Sequence, residues 1–152
     1  MRSPSAFPLR TAADAEAALA YFNAFHDGFI RTLTLRSHDD FESRGVHNVS
    51  GRLDLELLFA HYNYRQGEPP ADQLVRARFD RVSGLRADLP FAHGEWSIDR
   101  VEIEVETCPS GSATERCLAA RIVHHRLVNG AWTTAEGLRF AFEEGEVEEL
   151  FG

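Results

Sequence analysis

Alternation of apolar and polar residues is the feature that most constrains the fold of this chain. After residue 28, period-two runs recur to the end of the sequence, at 29–36, 52–62, 74–82, 96–106, 117–128, 131–144 and, as a short edge, 146–151. Half-polar strands of this kind pair antiparallel, with one face buried and the other in water. The pattern predicts an α+β, mostly β domain: an antiparallel β-sandwich or rolled sheet of six to seven strands.

One helix is predicted before the strands. Thr11 can cap it, Asp14 stands at the third helical position, and the apolar stripe comprises Ala15, Ala18, Leu19, Phe22 and Phe25. Residues 1–10 hold two prolines and show no periodicity, so they are predicted to be an N-terminal arm. Residues 11–152 are then a single α+β domain with the helix packed on the sheet.

The Asn129-Gly130 dipeptide sits between two alternating runs and predicts a hairpin with a type I′ turn. The turn sets the register, placing Leu127 opposite Trp132, His125 opposite Thr134 and Val123 opposite Glu136. Arg121, Leu138 and Phe140 are expected on that same face. A slip in the alternation further predicts a bulge at Asp99-Arg100.

This register predicts that Arg121, His125 and Glu136 come together on an otherwise apolar face. Unpaired buried charge is costly, so the three groups would need one another, and one interpretation is a polar binding pocket. The alternatives are a structural ion pair at the sheet rim, or a bulge at Gly137 that sends Glu136 to solvent.

Two polar segments near the first strand offer metal-binding residue types. His26, Asp27 and Gly28 follow the helix, and we interpret them as a structural turn, since metal phosphohydrolases with a His-Asp pair require several long helices. The loop at 37–51 then contains His38, Asp39, Asp40, Glu42 and His47. Its spacing fits neither a calcium loop nor a zinc signature, so His26, His38, Asp39 and Asp40 are only weak metal candidates.

Charge and composition limit the functional classes. The net charge is −8, and residues 101–152 hold 4 Arg against 10 Glu. This acidity disfavours nucleic acid and anionic membranes, and suits a basic protein partner or simply a solvated surface. We find neither a signal peptide nor a membrane-spanning run, and we expect a cytoplasmic protein with Cys108 and Cys117 reduced.

Catalytic motifs are not found in the sequence: it has no nucleophile elbow, phosphate loop or dinucleotide fingerprint. We therefore predict no cofactor and no catalytic residue, and we favour a protein that is not an enzyme without deciding the point. Tyr62 and Tyr64 precede Arg65, and such aromatics beside an arginine suit a protein contact surface. They could equally pack under the Pro69-Pro70 loop.

The segments "AFHDGFIRTLTLR", "RLDLELLF", "VRARFDRVSGLRADLP" and "IDRVEIEVE" follow one another in order. Across residues 22–106 the chain resembles a loose group of small bacterial β-rich proteins with an F-H-D-x-x-(I/V) signature. A later strand of that group reads F-x-x-V-x-x-L, matched here by Phe79, Val82 and Leu85. The group includes uncharacterised proteins and immunity proteins of polymorphic toxin systems.

The resemblance implies a β-sandwich-like domain and, in the immunity branch, a non-enzymatic protein that binds and neutralises a toxin. It carries no catalytic residues to this chain. We thus expect a non-enzymatic binding protein of unassigned role, for which an immunity-type inhibitor that binds a toxin is one candidate. The alternatives are a small-molecule-binding or metal-dependent hydrolase domain that uses a polar pocket on the sheet, and a subunit that forms a homodimer through an edge strand.

Overall fold

The computed structural model describes residues 5–41, 44–45, 47–48, 52–62, 72–88, 97–107 and 116–150. Its elements, in chain order, are β1 (Ala6–Leu9), α1 (Ala12–Tyr21), a short turn (Asn23–Phe25), β2 (Phe29–Ser37), β3 (Asp40–Phe41), β4 (His47–Asn48), β5 (Leu53–Tyr62), β6 (Asp72–Asp80), β7 (Ser83–Ala87), β8 (Ile98–Thr107), β9 (Arg116–Val128), β10 (Ala131–Phe142) and β11 (Glu144–Leu150). The predicted α+β, mostly β class is confirmed.

The main strands form two antiparallel sheets. One has five strands in the order β1-β11-β6-β5-β2, and the other has four in the order β7-β10-β9-β8. A separate two-stranded pair joins β3 and β4. The strands outnumber the six to seven predicted, because part of the N-terminal arm forms β1 and the segment after Val82 forms β7. The predicted short edge at the C-terminus is wrong: β11 lies between β1 and β6.

The core lies between the inner faces of the two sheets. Leu55, Leu57 and Phe59 of β5 face it from one side, and Ile122 of β9 from the other. Phe79 joins the sheets through edge-to-face contacts with Phe140 and Phe142, at centroid distances of 4.7 and 4.8 Å. Aromatic pairs in this arrangement add to the stabilisation that area burial provides.

The helix α1 packs against β1 of one sheet and β8 of the other, with Ala15 and Ala18 buried. The backbone N–H of Asp14 donates to the Thr11 hydroxyl at 3.1 Å, as predicted for the cap. The helix ends at Tyr21, earlier than the apolar stripe suggested. Asn23, Ala24 and Phe25 have φ of 51°, 51° and 58°, a left-handed turn that cannot continue a right-handed helix.

The C-terminal hairpin follows the predicted register up to one point. Asn129 and Gly130 have φ of 51° and 78°, and Leu127 pairs with Trp132, His125 with Thr134 and Val123 with Glu136. The register then shifts between Glu136 and Leu138. The shared face predicted for Arg121, Leu138 and Phe140 is therefore wrong: Leu138 pairs with Ile122, and both Leu138 and Phe140 lie in the core.

Two further sequence predictions concern strands β8 and β9. The register of β8 on β9 shifts between Ile98 and Arg100, which confirms the predicted bulge. Cys117 is disulfide-bonded, so the expectation of two reduced thiols is corrected, and Cys108 lies outside the described residues. None of the helices in the described ranges is long and apolar enough to cross a membrane.

Candidate functional site

The segment that follows α1 is tied by backbone hydrogen bonds to the start of β8. The Asp27 N–H donates to the Ile98 carbonyl at 2.8 Å, and the Ile98 N–H donates back to the Gly28 carbonyl at 2.8 Å. The His125 N–H of β9 donates to the Ser97 carbonyl at 2.9 Å. Three segments far apart in the sequence therefore meet here, and each brings ionisable side chains.

Gly28 is needed in this turn because of close packing. A Cβ atom at Gly28 would lie 2.9 Å from the Ala60 carbonyl oxygen and 3.1 Å from that of Phe25. The positive φ of this turn is at Asp27, with φ of 62°, and not at Gly28. The structure therefore supports the interpretation of this segment as a turn, and the close approach of β5 explains why the turn needs glycine at position 28.

His26, Asp27, Asp99 and His125 converge at this junction, and we call them the His–Asp cluster. The nearest ring-nitrogen-to-carboxylate distances are 3.4 Å from His26 Nε2 to Asp27, 3.6 Å from His125 Nε2 to Asp27, and 3.9 Å from His125 Nδ1 to Asp99. The two imidazole centroids are 5.9 Å apart. His26, Asp99 and His125 each offer a ligand atom, and these atoms lie within 4.8 Å of one another.

The backbone carbonyl of Asp99 fixes the orientation of the His26 ring. His26 Nδ1 lies 2.9 Å from this oxygen. A carbonyl oxygen can only accept a hydrogen bond, so Nδ1 carries the proton and donates. In the neutral ring, Nε2 is then left with its lone pair directed towards Asp27.

Arg100 connects the His–Asp cluster to a line of ion pairs across the outer face of the four-stranded sheet. Its guanidinium lies 2.6 Å from Asp99 Oδ2 and 2.5 Å from Glu102 Oε1. The hydrogen bonds to Glu102 and Asp99 raise the pKa of Arg100 above its ordinary value. The hydrogen bond from Arg100 lowers the pKa of Glu102, against a smaller opposing effect of burial.

Arg121 continues this line through 2.9 Å contacts to Glu102 on one side and Glu136 on the other. Two members of the predicted pocket, Arg121 and Glu136, are therefore in direct contact across β9 and β10. The contacts that the structure gives for His125 are instead with Asp27 and Asp99. The pairing of Arg121 and Glu136 matches the structural ion pair that we weighed as an alternative.

The other weak metal candidates lie apart from the His–Asp cluster or are not described. His38 forms a 2.5 Å contact with Asp54 of β5. The N–H of Asp39 donates to the Ser37 hydroxyl at 3.1 Å. Asp40 belongs to β3, and its side chain is not described. Within the described ranges, the potential metal-ligand group is His26, Asp99 and His125.

Asp99 was missed as a site residue. The slip in alternation at Asp99-Arg100 was the signal that could have indicated it, because bulges re-aim side chains and occur next to functional sites. The predicted contact aromatics cannot be placed: the side chain of Tyr62 is not described, and Tyr64 lies outside the described residues.

The end of the β9–β10 hairpin carries a second feature. Every residue from 126 to 134 is exposed. Among them are three large apolar side chains, Leu127 at 42%, Val128 at 44% and Trp132 at 60% exposure. Leu127 and Trp132 are directly opposite each other in the ladder. These two side chains share one face of the hairpin, whereas Val128 points to the other face. We call Leu127 and Trp132 the hairpin patch, and adjacent exposed apolar side chains of this kind are typical of contact surfaces.

Elsewhere, arginine side chains balance many of the C-terminal glutamates. Arg76 pairs with Glu148, and Arg78 with Glu146 at 3.0 Å, across β6 and β11. Arg139 pairs with Glu106 at 2.8 Å. Part of the acidity of the C-terminal third is therefore due to glutamates that form cross-strand ion pairs with arginines.

In comparisons with known proteins, no family model, no curated protein and no solved structure matches this chain. The resemblance to the F-H-D-x-x-(I/V) group consequently stays a prediction.

Proposed function

We propose that this domain is a non-enzymatic protein-binding module whose contact surface is the hairpin patch. The observation that carries the proposal is the 60% exposure of Trp132 beside Leu127 at the end of a regular hairpin. Tryptophan is the residue type most enriched at positions that dominate binding energy. An apolar pocket on a partner would remove this side chain from water.

The hairpin supports the proposal by its expected stiffness. Asn129 and Gly130 adopt the positive φ angles of a type I′ turn, which matches the twist of the paired strands. A surface held in its bound shape before contact loses less conformational entropy on association. Trp132 has only two side-chain torsions, so ordering it costs less than ordering a long flexible side chain.

For the partner, we propose a protein with a basic surface beside an apolar pocket, of which a toxin neutralised by an immunity-type inhibitor is the specific case. The support is the net charge of −8 together with the sequence resemblance. The paired glutamates still contribute to that net charge, which acts at long range on encounter. The same charge favours neither nucleic acid nor anionic membrane as a partner.

A cytoplasmic location is also a proposal. The disulfide at Cys117 argues against it, because disulfides persist chiefly in oxidising compartments. Thiol labelling of the protein in intact cells of the source organism, before and after reduction, tests this point directly.

The test of protein binding compares Trp132→Ala with Thr133→Ala, an exposed neighbour on the opposite face of β10. A partner is captured from the source organism with the wild-type domain, identified and purified, and its Kd for each form is measured. We expect Trp132→Ala to weaken binding about 30-fold, as for a hot spot of ~2 kcal/mol, and Thr133→Ala to change it less than about twofold.

Equal affinity of the Trp132→Ala variant would refute the hairpin patch as the contact surface. Light scattering over a range of concentrations tests whether the hairpin patch binds a second copy of the chain. If the wild type forms a dimer and Trp132→Ala does not, the patch is a homodimer interface and the proposal of a different protein partner is refuted.

A second candidate is a metal-dependent hydrolase or small-molecule-binding domain, and the His–Asp cluster is the observation that favours it. The pocket first expected around Arg121 and Glu136 supports it less, because Glu102 and Glu136 already bind the Arg121 guanidinium. A metal-dependent hydrolase requires a bound ion, so the first test of this candidate is whether the His–Asp cluster binds a metal ion.

A further inference from the structure

We propose that His26, Asp99 and His125 bind a divalent transition-metal ion, with Asp27 at the rim of the site. The proposal is independent of protein binding by the hairpin patch. It rests on the positions of the donor atoms, on the lack of short hydrogen bonds between the imidazoles and the carboxylates, and on the charge that the carboxylates carry.

The donor atoms are close to the spacing of a metal site. Zinc bonds of about 2.0–2.1 Å in a tetrahedral site put neighbouring ligand atoms roughly 3.4 Å apart. The rim residue Asp27 is at this spacing from both imidazoles, with one carboxylate oxygen 3.4 Å from His26 Nε2 and the other 3.6 Å from His125 Nε2. The three proposed ligand atoms, from His26, Asp99 and His125, lie within 4.8 Å of one another, so they need to approach by no more than about 1.4 Å to reach this spacing.

The His–Asp cluster differs from a closed ion pair. Its ring-nitrogen-to-carboxylate distances of 3.4, 3.6 and 3.9 Å all exceed the usual hydrogen-bond range of about 2.7–3.2 Å. His38 and Asp54, in contrast, are 2.5 Å apart and leave no space between them. The imidazoles and carboxylates therefore converge without hydrogen-bonding to one another, as donor atoms do around a cation that they share.

The His26 ring is held in the tautomer that a metal requires. Its Nδ1–H donates to the Asp99 carbonyl, which leaves Nε2 as the ligand atom. Histidine ligands usually donate their second ring N–H to a carbonyl or carboxylate, which orients the ring and raises its basicity. In this case one residue, Asp99, supplies both the orienting carbonyl and a carboxylate ligand.

Charge also favours a cation here. Asp27 and Asp99 bring two carboxylates, and the neighbouring Arg100 is shared between Asp99 and Glu102. The Arg100 guanidinium donates a hydrogen bond to Asp99 Oδ2, whereas Asp99 Oδ1 lies 3.9 Å from His125 Nδ1. The oxygen on the His125 side is therefore the one placed to bind the ion.

The backbone holds these ligands in place. Hydrogen bonds link Asp27 and Gly28 to Ile98, and His125 to Ser97. Phe25 and Asp27 flank His26 with φ of 58° and 62°, which are strained values for residues other than glycine. Strain of this kind persists at ligand-binding positions when the surrounding structure enforces it.

Two imidazoles and a carboxylate select borderline ions such as zinc, cobalt, iron and manganese. His26 and Asp27 are each about half exposed, so the site is open to solvent on one side. A site with three protein ligands keeps a position for water or for an external ligand. His125 is two residues from Leu127 on the same face of β9, so that position borders the hairpin patch.

The test uses the purified full chain after removal of metals with a chelator. Co²⁺ is titrated by visible absorption, and Zn²⁺ by competition with a chromophoric chelator. We expect one equivalent of each ion to bind. His26→Gln and Asp99→Asn should each weaken Zn²⁺ binding more than about tenfold, whereas the matched control His38→Gln should leave it unchanged. Circular dichroism and urea denaturation verify that each variant is folded.

Binding of less than one equivalent by the wild-type chain would overturn the proposal. It would equally be overturned if His38→Gln weakened binding as much as His26→Gln. Because the His26 side chain is about half exposed, this variant should fold even if Asp99→Asn does not. A hairpin variant such as Trp132→Ala should retain full metal binding, so the metal site and the protein-binding function can fail separately.

Discussion

Replacing Gly28 by alanine tests whether close packing of β5 fixes the turn that carries His26 and Asp27. The added methyl carbon would lie 2.9 Å from the Ala60 oxygen and 3.1 Å from the Phe25 oxygen. Both are backbone atoms, and Ala60 is paired with Phe29 on one side and Leu74 on the other. Relief therefore requires movement of the backbone and not only of a side chain.

Two effects of opposite sign determine the magnitude. Overpacking at a site that cannot relax costs about 1–3 kcal/mol. Gly28 does not have a positive φ, so alanine can adopt the same backbone conformation in the folded state without strain. Alanine also lowers the conformational entropy of the unfolded chain, which stabilises the folded state by about 0.4–1 kcal/mol. Together the two ranges give a net loss of about 0–2.6 kcal/mol, and we expect the middle of that interval, a free energy of unfolding lower by about 1–2 kcal/mol. For a chain of this size, this corresponds to a Tm lower by about 2–8 °C.

Urea denaturation followed by circular dichroism measures this change, and an unchanged m-value shows that the two-state comparison is valid. Gly130→Ala is the matched control: nothing lies within 4 Å of its added carbon, but its φ is +78°. Gly130→Ala should lose stability through backbone strain alone and should retain metal binding. Gly28→Ala should lower the stability and also weaken metal binding. A Gly28→Ala protein as stable as the wild type would refute the packing argument.

Two other variants probe buried polar contacts. Tyr21→Phe removes the hydroxyl that donates to Glu149 at 2.7 Å, so we expect a loss of about 1.5–3 kcal/mol in urea denaturation; unchanged stability would contradict a structural role for this bond. For Asp54, burial raises the pKa, but hydrogen bonds from His38 and the Arg81 N–H outweigh it and lower the pKa below 3.8. The anion therefore contributes stability above pH 3.8 that is lost as pH falls through the lower folded-state pKa. The destabilisation caused by Asp54→Asn should be larger at pH 6 than at pH 3, and equal penalties would contradict this assignment.

Local rules predicted the strands and the hairpin, and they failed at the first irregularity. The Asn129-Gly130 turn correctly set the pairing from Leu127 to Val123, because a two-residue turn fixes register directly. Beyond Glu136 the register shifts, which moves Leu138 and Phe140 to the core. A period of two magnifies such an error, since one extra residue turns every later side chain to the other face.

The His–Asp cluster depends on topology, which no local pattern encodes. His26 follows the helix, Asp99 is the second residue of β8 and His125 lies three residues before the end of β9. Only the order of the strands in space brings them together. Each residue was visible in the sequence as part of a turn, a bulge or a hairpin. The sequence alone could not indicate that these three elements meet at one end of the sandwich.

The position of β11 has a consequence for synthesis on the ribosome. Ser5 and Glu149, 144 residues apart, are joined by a hydrogen bond, and β11 separates β1 from β6 in the sheet. Until the last strand emerges, β6 has an unpaired edge and β1 has no neighbour in its sheet. Such an edge invites pairing with other chains, and contacts this distant in sequence form slowly. We therefore expect nascent chains shortened before Glu144 to depend on chaperones and to aggregate when released.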